Sequence, residues 1–233
     1  MIQAVLFDLD GTLLHTAPDL VGALNWLRAR HGLPELAVAE MQTLASRGSL
    51  KLLEAGMPPA DAETLRGWQL EFLSRYEQNI FRHSNLYDGV PDVLSYLDDN
   101  GLPWGIVTDK PEYLALPILS AAGLRDSAGC IICGDSVAER KPHPAPVIVA
   151  CEQLNVAVGR TLFVGDDLRD IEAGQAAGVK TCAALYGYGA AELRKPENLH
   201  LVDGGIVIET PAELIAWLEG SIGSDREPAT ENG

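Results

Sequence analysis

Ala4-Val5-Leu6-Phe7-Asp8-Leu9-Asp10-Gly11-Thr12 passes from an apolar run to two carboxylates and a turn. The apolar residues predict a buried strand, and Gly11 the bend that follows it. Side chains two positions apart on an extended chain share a face, so Asp8 and Asp10 are expected to emerge together. At about 4 Å and an effective dielectric of about 20, two such acids repel by roughly 4 kcal/mol. A cation or a proton therefore belongs between them. The plainer alternative is a polar strand-to-helix turn, with Asp as N-cap and Gly for the bend.

Outward from this run the pattern becomes helical. Leu20, Leu24 and Leu27 recur at helical spacing, with Asp19 near the helix start, and Leu65, Trp68, Phe72, Leu73 and Tyr76 repeat the period. Gly48, Gly56, Pro58 and Pro59 punctuate helices between them. Residues 16–82 thus read as an inserted helical bundle, joined to the rest by short linkers near His15 and Asn85. From Asp88 onward helices alternate with strands. Strands are predicted at Trp104–Thr108, Cys130–Cys133, Thr161–Val164, Thr181–Leu185 and Ile206–Ile208. Helices are predicted at Asp92–Asn100, Tyr113–Ala122, Ala145–Leu154, Ile171–Ala177 and Ala212–Leu218. Such alternation implies an α/β fold, a doubly wound parallel (Rossmann-like) sheet core with an inserted α-helical cap. The core takes residues 1–15 and 83–220, and the polar tail 221–233 is expected to be disordered.

In sheets of this kind ligands bind beyond the carboxyl ends of the strands. Four polar signals fall there: Asp8 and Asp10, Thr108, Lys141 in Arg140-Lys141-Pro142-His143-Pro144, and Gly165-Asp166-Asp167-Leu168-Arg169-Asp170. These residue types suit metal-assisted phosphoryl transfer. Asp8 is the candidate nucleophile, and Asp10 the acid/base that protonates the leaving oxygen and then activates water. That second role wants a carboxyl that exchanges a proton near neutral pH, an effect acidic company would produce. Carboxylate oxygens suit Mg2+. Asp166 is the expected ligand, with Asp167 and Asp170 as further ligands or outer acceptors. Three acids in six residues exceed what a helix cap needs. Thr108 offers a hydroxyl and an N–H to phosphate, Lys141 a charge that screens nucleophile from phosphate, and Gly11 a close backbone approach. In the insertion, Ser46-Arg47-Gly48-Ser49 is the candidate substrate-reading loop, with Arg47 placed to pair with a carboxylate; an exposed arginine at a helix start is the competing reading.

Composition narrows the partners. The chain has 233 residues and a formal charge of −16, a field that repels nucleic acid and anionic membrane surfaces. It repels phosphate esters too, so a small phosphorylated metabolite would need local cations. No apolar stretch approaches the ~20 residues of a membrane span, and the start runs straight into acids without a basic leader. A cytoplasmic protein, monomer or homodimer, is expected. Cys130 and Cys133 sit in an apolar strand where residues three apart face opposite ways, so buried free thiols are expected there rather than half a zinc site.

Jointly, Asp8-x-Asp10-Gly11-Thr12, Thr108, Lys141-Pro142 and Gly165-Asp166-Asp167-x-x-Asp170 resemble the four motifs of the haloacid dehalogenase-like hydrolases. The likeness runs from the first strand to about Leu218, and the helical insertion resembles their cap. It implies an Mg2+-dependent phosphatase with Asp8 as nucleophile, Asp10 as acid/base, and metal held by Asp8, the Asp10 carbonyl and Asp166. Within the phosphoglycolate phosphatase-like branch, the runs 162–172, 186–188 and 104–108 are most similar to N-acetylmuramic acid 6-phosphate phosphatases of cell-wall recycling. 2-Phosphoglycolate hydrolysis, a phosphosugar mutase and a non-catalytic binding module are the other readings. Position 109, often Asn in that branch, is Asp109, which adds negative charge beside the expected phosphate pocket. Position 167, often Ser or Thr in phosphoglycolate phosphatases, is Asp167.

Overall fold

A computed structural model describes residues 1–45, 47–202 and 205–223. The chain enters as strand β1 (Ala4–Phe7) and passes through a two-residue strand β2 (Leu14–His15) into helices α1 (Ala17–Arg30), α2 (Val38–Ala45), α3 (Ser49–Gly56) and α4 (Ala62–Gln78). It returns by β3 (Asn85–Leu86) to α5 (Val90–Asp99), β4 (Trp104–Val107), α6 (Glu112–Ala121), β5 (Cys130–Ile132) and α7 (Ala145–Gln153). Then follow β6 (Thr161–Gly165), α8 (Leu168–Ala177), β7 (Lys180–Ala184), short α9 (Ala190–Leu193) and α10 (Leu199–Val202), β8 (Ile206–Ile208) and α11 (Pro211–Gly223).

Six strands form one sheet in the order β5-β4-β1-β6-β7-β8, every pairing parallel. The α/β, Rossmann-like expectation is therefore met. β1 and β4 are buried along their whole length, which is why both read as unbroken apolar runs rather than as alternation. On one face Val5, Phe7, Trp104, Ile106 and Val164 pack with α5 and α11; on the other Leu6, Val107, Phe163, Val147 and Ala173 pack with α7 and α8. The chain leaves β1 for β4 and β5 on one side, then crosses to β6 on the other. Strand order reverses beside β1, and the crevice opens there.

Helices α1 to α4 share an apolar core of their own, built on Leu24, Leu27, Met41, Leu52, Leu53 and Phe72. The expected leucine stripe of α1 is thereby accounted for. Two local features add to the sequence reading. The linkers near His15 and Asn85 are not loose: β2 and β3 pair antiparallel, Leu14 with Leu86 and His15 with Asn85. Strands this short carry no readable period. Asp19, expected at a helix start, lies in the first turn of α1, but its buried carboxylate accepts from the His83 N–H at 2.9 Å, the Ser84 N–H at 3.0 Å and the Ser84 hydroxyl at 2.6 Å. It ties the returning strand to the outgoing helix with charge-assisted bonds. At the carboxyl end, the tail expected from Ser221 starts inside α11, which reaches Gly223; residues 224–233 lie outside the described residues. All four cysteines are buried free thiols, as expected.

Candidate active site

β1 stops at Phe7, and the next residues curl into a tight turn in which Leu13 and Leu14 both donate to the Leu9 carbonyl. Strand alternation ends with the strand. Asp8 and Asp10 consequently take different partners, although both line one cavity. Asp8 stays in register with the sheet, its N–H on the Val164 carbonyl at 2.9 Å, and its carboxylate joins those of Asp166 and Asp170 in a buried cluster whose ligand oxygens lie within 4.8 Å of one another. The Asp10 carboxylate turns away to Lys110, whose Nζ donates to both its oxygens at 2.9 and 3.0 Å, and to the Thr16 hydroxyl. The acidic company anticipated for Asp10 belongs to Asp8 instead.

Lys141 is the counter-ion of the cluster. Its Nζ donates to Asp170 at 2.6 Å, to Asp8 at 2.8 Å and to the Val107 carbonyl at 3.0 Å, so all three ammonium protons are placed. Burial opposes that charge, but Asp170 and Asp8 outweigh it and hold the lysine pKa above its usual value. Burial is also the main reason the Asp8 carboxyl sits well above the ordinary carboxylate range, with Asp170 and Asp166 adding to it and Lys141 working against them. Asp166 is pushed up to about 7 by burial and by Asp170, although it accepts from the Gly189 N–H at 2.9 Å and the Thr12 hydroxyl at 3.0 Å. One ammonium against three buried carboxylates leaves the set short of positive charge. Oxygen-only donors of this kind fit a hard divalent cation such as Mg2+.

Asp167 and Asp170 part company. Their side chains and N–H groups form a reciprocal cap at the start of α8. Asp170 reaches into the cluster with its other oxygen, on Lys141, whereas Asp167 lies outside it. Asp167 accepts instead from the Arg169 N–H and Nε, at 3.0 and 2.9 Å. Burial resists its charge, yet Arg169 holds its carboxyl below the usual value. The same Arg169 donates to Asp109 at 2.7 Å. The negative charge that Asp109 brings is therefore countered by an arginine two positions after Asp167, a pairing across 60 residues that no local pattern announces.

Thr108, at the end of β4, is buried, its N–H on the Ile132 carbonyl and its hydroxyl accepting from the Lys110 N–H at 3.2 Å. Gly11 has φ +97°, and a Cβ there would lie 2.3 Å from Asp166 Oδ2. The close approach that demands glycine is thus to the Asp166 carboxylate. Beside these groups opens a cavity of about 430 Å³. Asp8, Asp10, Thr108, Asp109 and Lys141 line its floor, and Gly48, Ser49, Gln69, Phe72, Leu73 and Tyr76 of the insertion line its roof. Arg47, Lys110, Arg140, Lys141 and Arg169 supply five cations to this wall against three acids, Asp8, Asp10 and Asp109. The cavity wall thus gathers cations locally in a chain of charge −16, each of Arg47, Lys110, Lys141 and Arg169 answering at least one acid. Arg47 also crosses to the other body of the molecule, donating to Glu192 of α9 at 2.9 Å. Ser46, named with it, lies outside the described residues.

Lys110 was not singled out from the sequence, and Arg169, quoted within its motif, was given no role there. Lys110 stands two residues after Thr108 at the same strand end, and that position was the available signal. No described helix is long and apolar enough to cross a membrane.

Comparison with known proteins bears on this geometry. Residues 2–178 match the family described as haloacid dehalogenase-like hydrolase. The N-acetylmuramic acid 6-phosphate phosphatase of Pseudomonas aeruginosa is 38% identical over 222 residues, 95% of this chain and 96% of that protein. The phosphoglycolate phosphatase of Xanthomonas campestris pv. campestris is 45% identical over 218 residues, 92% and 97% respectively. A crystal structure from Haemophilus somnus, described as a predicted phosphoglycolate phosphatase, superposes with a TM-score of 0.79 at 26% identity, covering 93% of this chain and 98% of that one.

Proposed function

Since this chain belongs to the haloacid dehalogenase-like hydrolase family and is a phosphoric monoester hydrolase, we propose that it hydrolyses a small carboxylated phosphate ester with Mg2+, N-acetylmuramic acid 6-phosphate ahead of 2-phosphoglycolate. The observation that carries this reading is the buried Asp8, Asp166 and Asp170 cluster, bridged by Lys141, at the floor of a roofed cavity. In domain terms, residues 1–15 and 83–220 form the hydrolase core and 16–82 the cap.

The chemistry follows from the placement of charge. An Asp8 oxygen forms a bond to phosphorus as the ester P–O bond breaks, and the departing alkoxide takes a proton from Asp10. Asp10, now a carboxylate, accepts a proton from water as that water bonds to phosphorus. The acyl phosphate bond then breaks, releasing phosphate and restoring Asp8. Lys141 and the Thr108 hydroxyl face the charge that builds on the phosphoryl oxygens, the Thr108 N–H expected there being taken by the Ile132 carbonyl. Asp8, the Asp10 carbonyl and Asp166 would hold Mg2+, with Asp170 behind them. When bound, that ion supplies Lewis-acid stabilisation of the phosphoryl oxygens.

Size favours the sugar acid. A two-carbon ester would leave most of a 430 Å³ cavity to water, whereas a hexose with acetamido and lactyl groups fills it against Phe72 and Leu73. Arg47 lines the same space, and in this reading it pairs with the lactyl carboxylate in exchange for Glu192. The second reading, 2-phosphoglycolate, has specific support in the 45% identical Xanthomonas relative of that name. A panel of phosphate esters with Mg2+ separates them. N-acetylmuramic acid 6-phosphate is expected to exceed N-acetylglucosamine 6-phosphate, which lacks the lactyl group, by about tenfold or more in kcat/KM, an advantage lost in Arg47→Ala. Preference for 2-phosphoglycolate would reverse the substrate assignment, and an isomeric sugar phosphate in place of free phosphate would mean a mutase.

The metal assignment has its own test. With Asp166 raised to about 7 when folded, the folded protein keeps a proton that the unfolded chain gives up. The stability of the metal-free protein therefore falls as pH rises from about 4 to 7. The ionised set is the one that takes a cation, so Mg2+ should raise the thermal midpoint more at pH 8 than at pH 6. At a hundredfold excess over Kd the rise should be about 5–10 °C. Asp166→Asn should abolish that rise and flatten the pH slope. A midpoint unmoved by Mg2+ at pH 8 would remove the metal from the site.

A further inference from the structure

We propose that Lys110 is a positioning residue for the reaction, a fixed ammonium that aims the Asp10 carboxylate at the leaving oxygen. The inference rests on the acid/base reading of Asp10 and adds a residue to it. Three observations carry it. Lys110 is 8% exposed, and its Nζ meets both Asp10 oxygens, so the pair is a bidentate clamp inside the protein rather than a surface ion pair. Both residues line the cavity that also holds Asp8 and Lys141, which places the clamp beside the reacting atoms. Above it, the ring of Tyr76 from α4 lies 5.1 Å from Nζ, an aromatic cover that keeps water from competing for the carboxylate.

A carboxylate on a single bond would sweep an arc. Without Lys110, Asp10 retains only the Thr16 hydroxyl as a side-chain partner among the described contacts. Both proton transfers assigned to Asp10, to the leaving oxygen and then from water, depend on holding its carboxyl group within reach of those oxygens, and loss of aim costs turnover without costing substrate binding. Lys110 is distinct from Lys141 in this respect. Lys141 bonds to the nucleophile and the acidic cluster, whereas among the described residues the carboxylate that Lys110 meets is that of Asp10. The ammonium survives burial because Asp10 pairs with it: desolvation pulls its pKa down, and Asp10 more than compensates, holding it above the usual lysine value.

The test compares Lys110→Met, Asp10→Asn and the double variant in the full chain with Mg2+. The substrates are the best alkyl ester of the panel and p-nitrophenyl phosphate, whose phenolate departs without a proton. For Lys110→Met, kcat on the alkyl ester should fall about 100-fold with KM changed less than about threefold, while the first-turnover burst of p-nitrophenol persists. In the Asp10→Asn background, Lys110→Met should cost less than about threefold further, because its effect passes through Asp10. Lys110→Arg, which keeps the charge but shifts the donors, should recover part of the loss and carries the test if the methionine variant does not fold. Losses that multiply in the double variant, or a collapse of the burst together with the alkyl turnover, would overturn the proposal. Wild-type turnover by Asp10→Asn would overturn the acid/base reading itself, and the inference with it.

Discussion

Asp8→Asn is expected to lower turnover by a factor of about 10⁴ or more, with the fold intact. The amide matches the carboxylate in size but cannot form the acyl phosphate, and Asp10, the other carboxylate after β1, is held by Lys110 and Thr16. Asp166 and Asp170 hang from β6 and from the start of α8, and both have hydrogen-bond partners of their own. Stability should move the other way. Asp8 is raised well above the ordinary range by burial and two like charges, so replacing it with a neutral group relieves repulsion, while the amide oxygen still accepts from Lys141. Phosphate release on the best ester, read beside near-ultraviolet circular dichroism and the thermal midpoint, checks both halves. Activity near wild type would end the nucleophile assignment. A collapsed midpoint would show that Asp8 supports the fold in a way the cluster does not suggest.

Lys141→Ala carries the second large effect, and it strikes catalysis and stability together. Turnover should fall about 10³-fold, because the fixed cation beside the transferring phosphoryl group is gone. The metal-free protein should lose about 3–5 kcal/mol, a fall in midpoint of about 10 °C, since Asp8 and Asp170 remain buried with their ammonium removed. The loss has a pH signature. Without Lys141 the two carboxyls bind protons more tightly when folded than when unfolded, so stability falls as pH rises. The variant should therefore differ less from wild type at pH 5.5 than at pH 8. Mg2+ should restore part of the midpoint by supplying positive charge to the same oxygens. Equal midpoints across that range would mean that Lys141 is not the counter-ion of the cluster.

The fold was readable from local pattern for a plain reason. Strands buried on both faces are apolar throughout, and the helices that cover them repeat at 3.6 residues, so β1, β4, β6 and the leucine stripe of α1 announce themselves. The ribbon of β2 and β3 is too short to show a period, and it exists because the two passages between core and insertion lie side by side. Gly11 was singled out for closeness to phosphate, and closeness is indeed its reason, but the neighbour is the carboxylate of Asp166. Asp109 looked like a liability in isolation. Its partner, Arg169, sits 60 residues away in the first turn of α8.

What the amino-acid order determined by itself was the parallel α/β sheet, the helical insertion, and the set of acids and the lysine gathered at the carboxyl ends of the strands. Tertiary structure alone decided which charge answers which. Asp8 joins Asp166 and Asp170 rather than Asp10, and Lys141 meets Asp8 across 133 residues. Lys110 takes Asp10 across 100, and Asp167 is withdrawn to Arg169. Periodicity is a property of neighbours along the chain and can be read there. Coulomb pairing is a property of neighbours in space, set here by one tight turn after β1 that ends the alternation of the strand and sends two acids, two positions apart, to different partners.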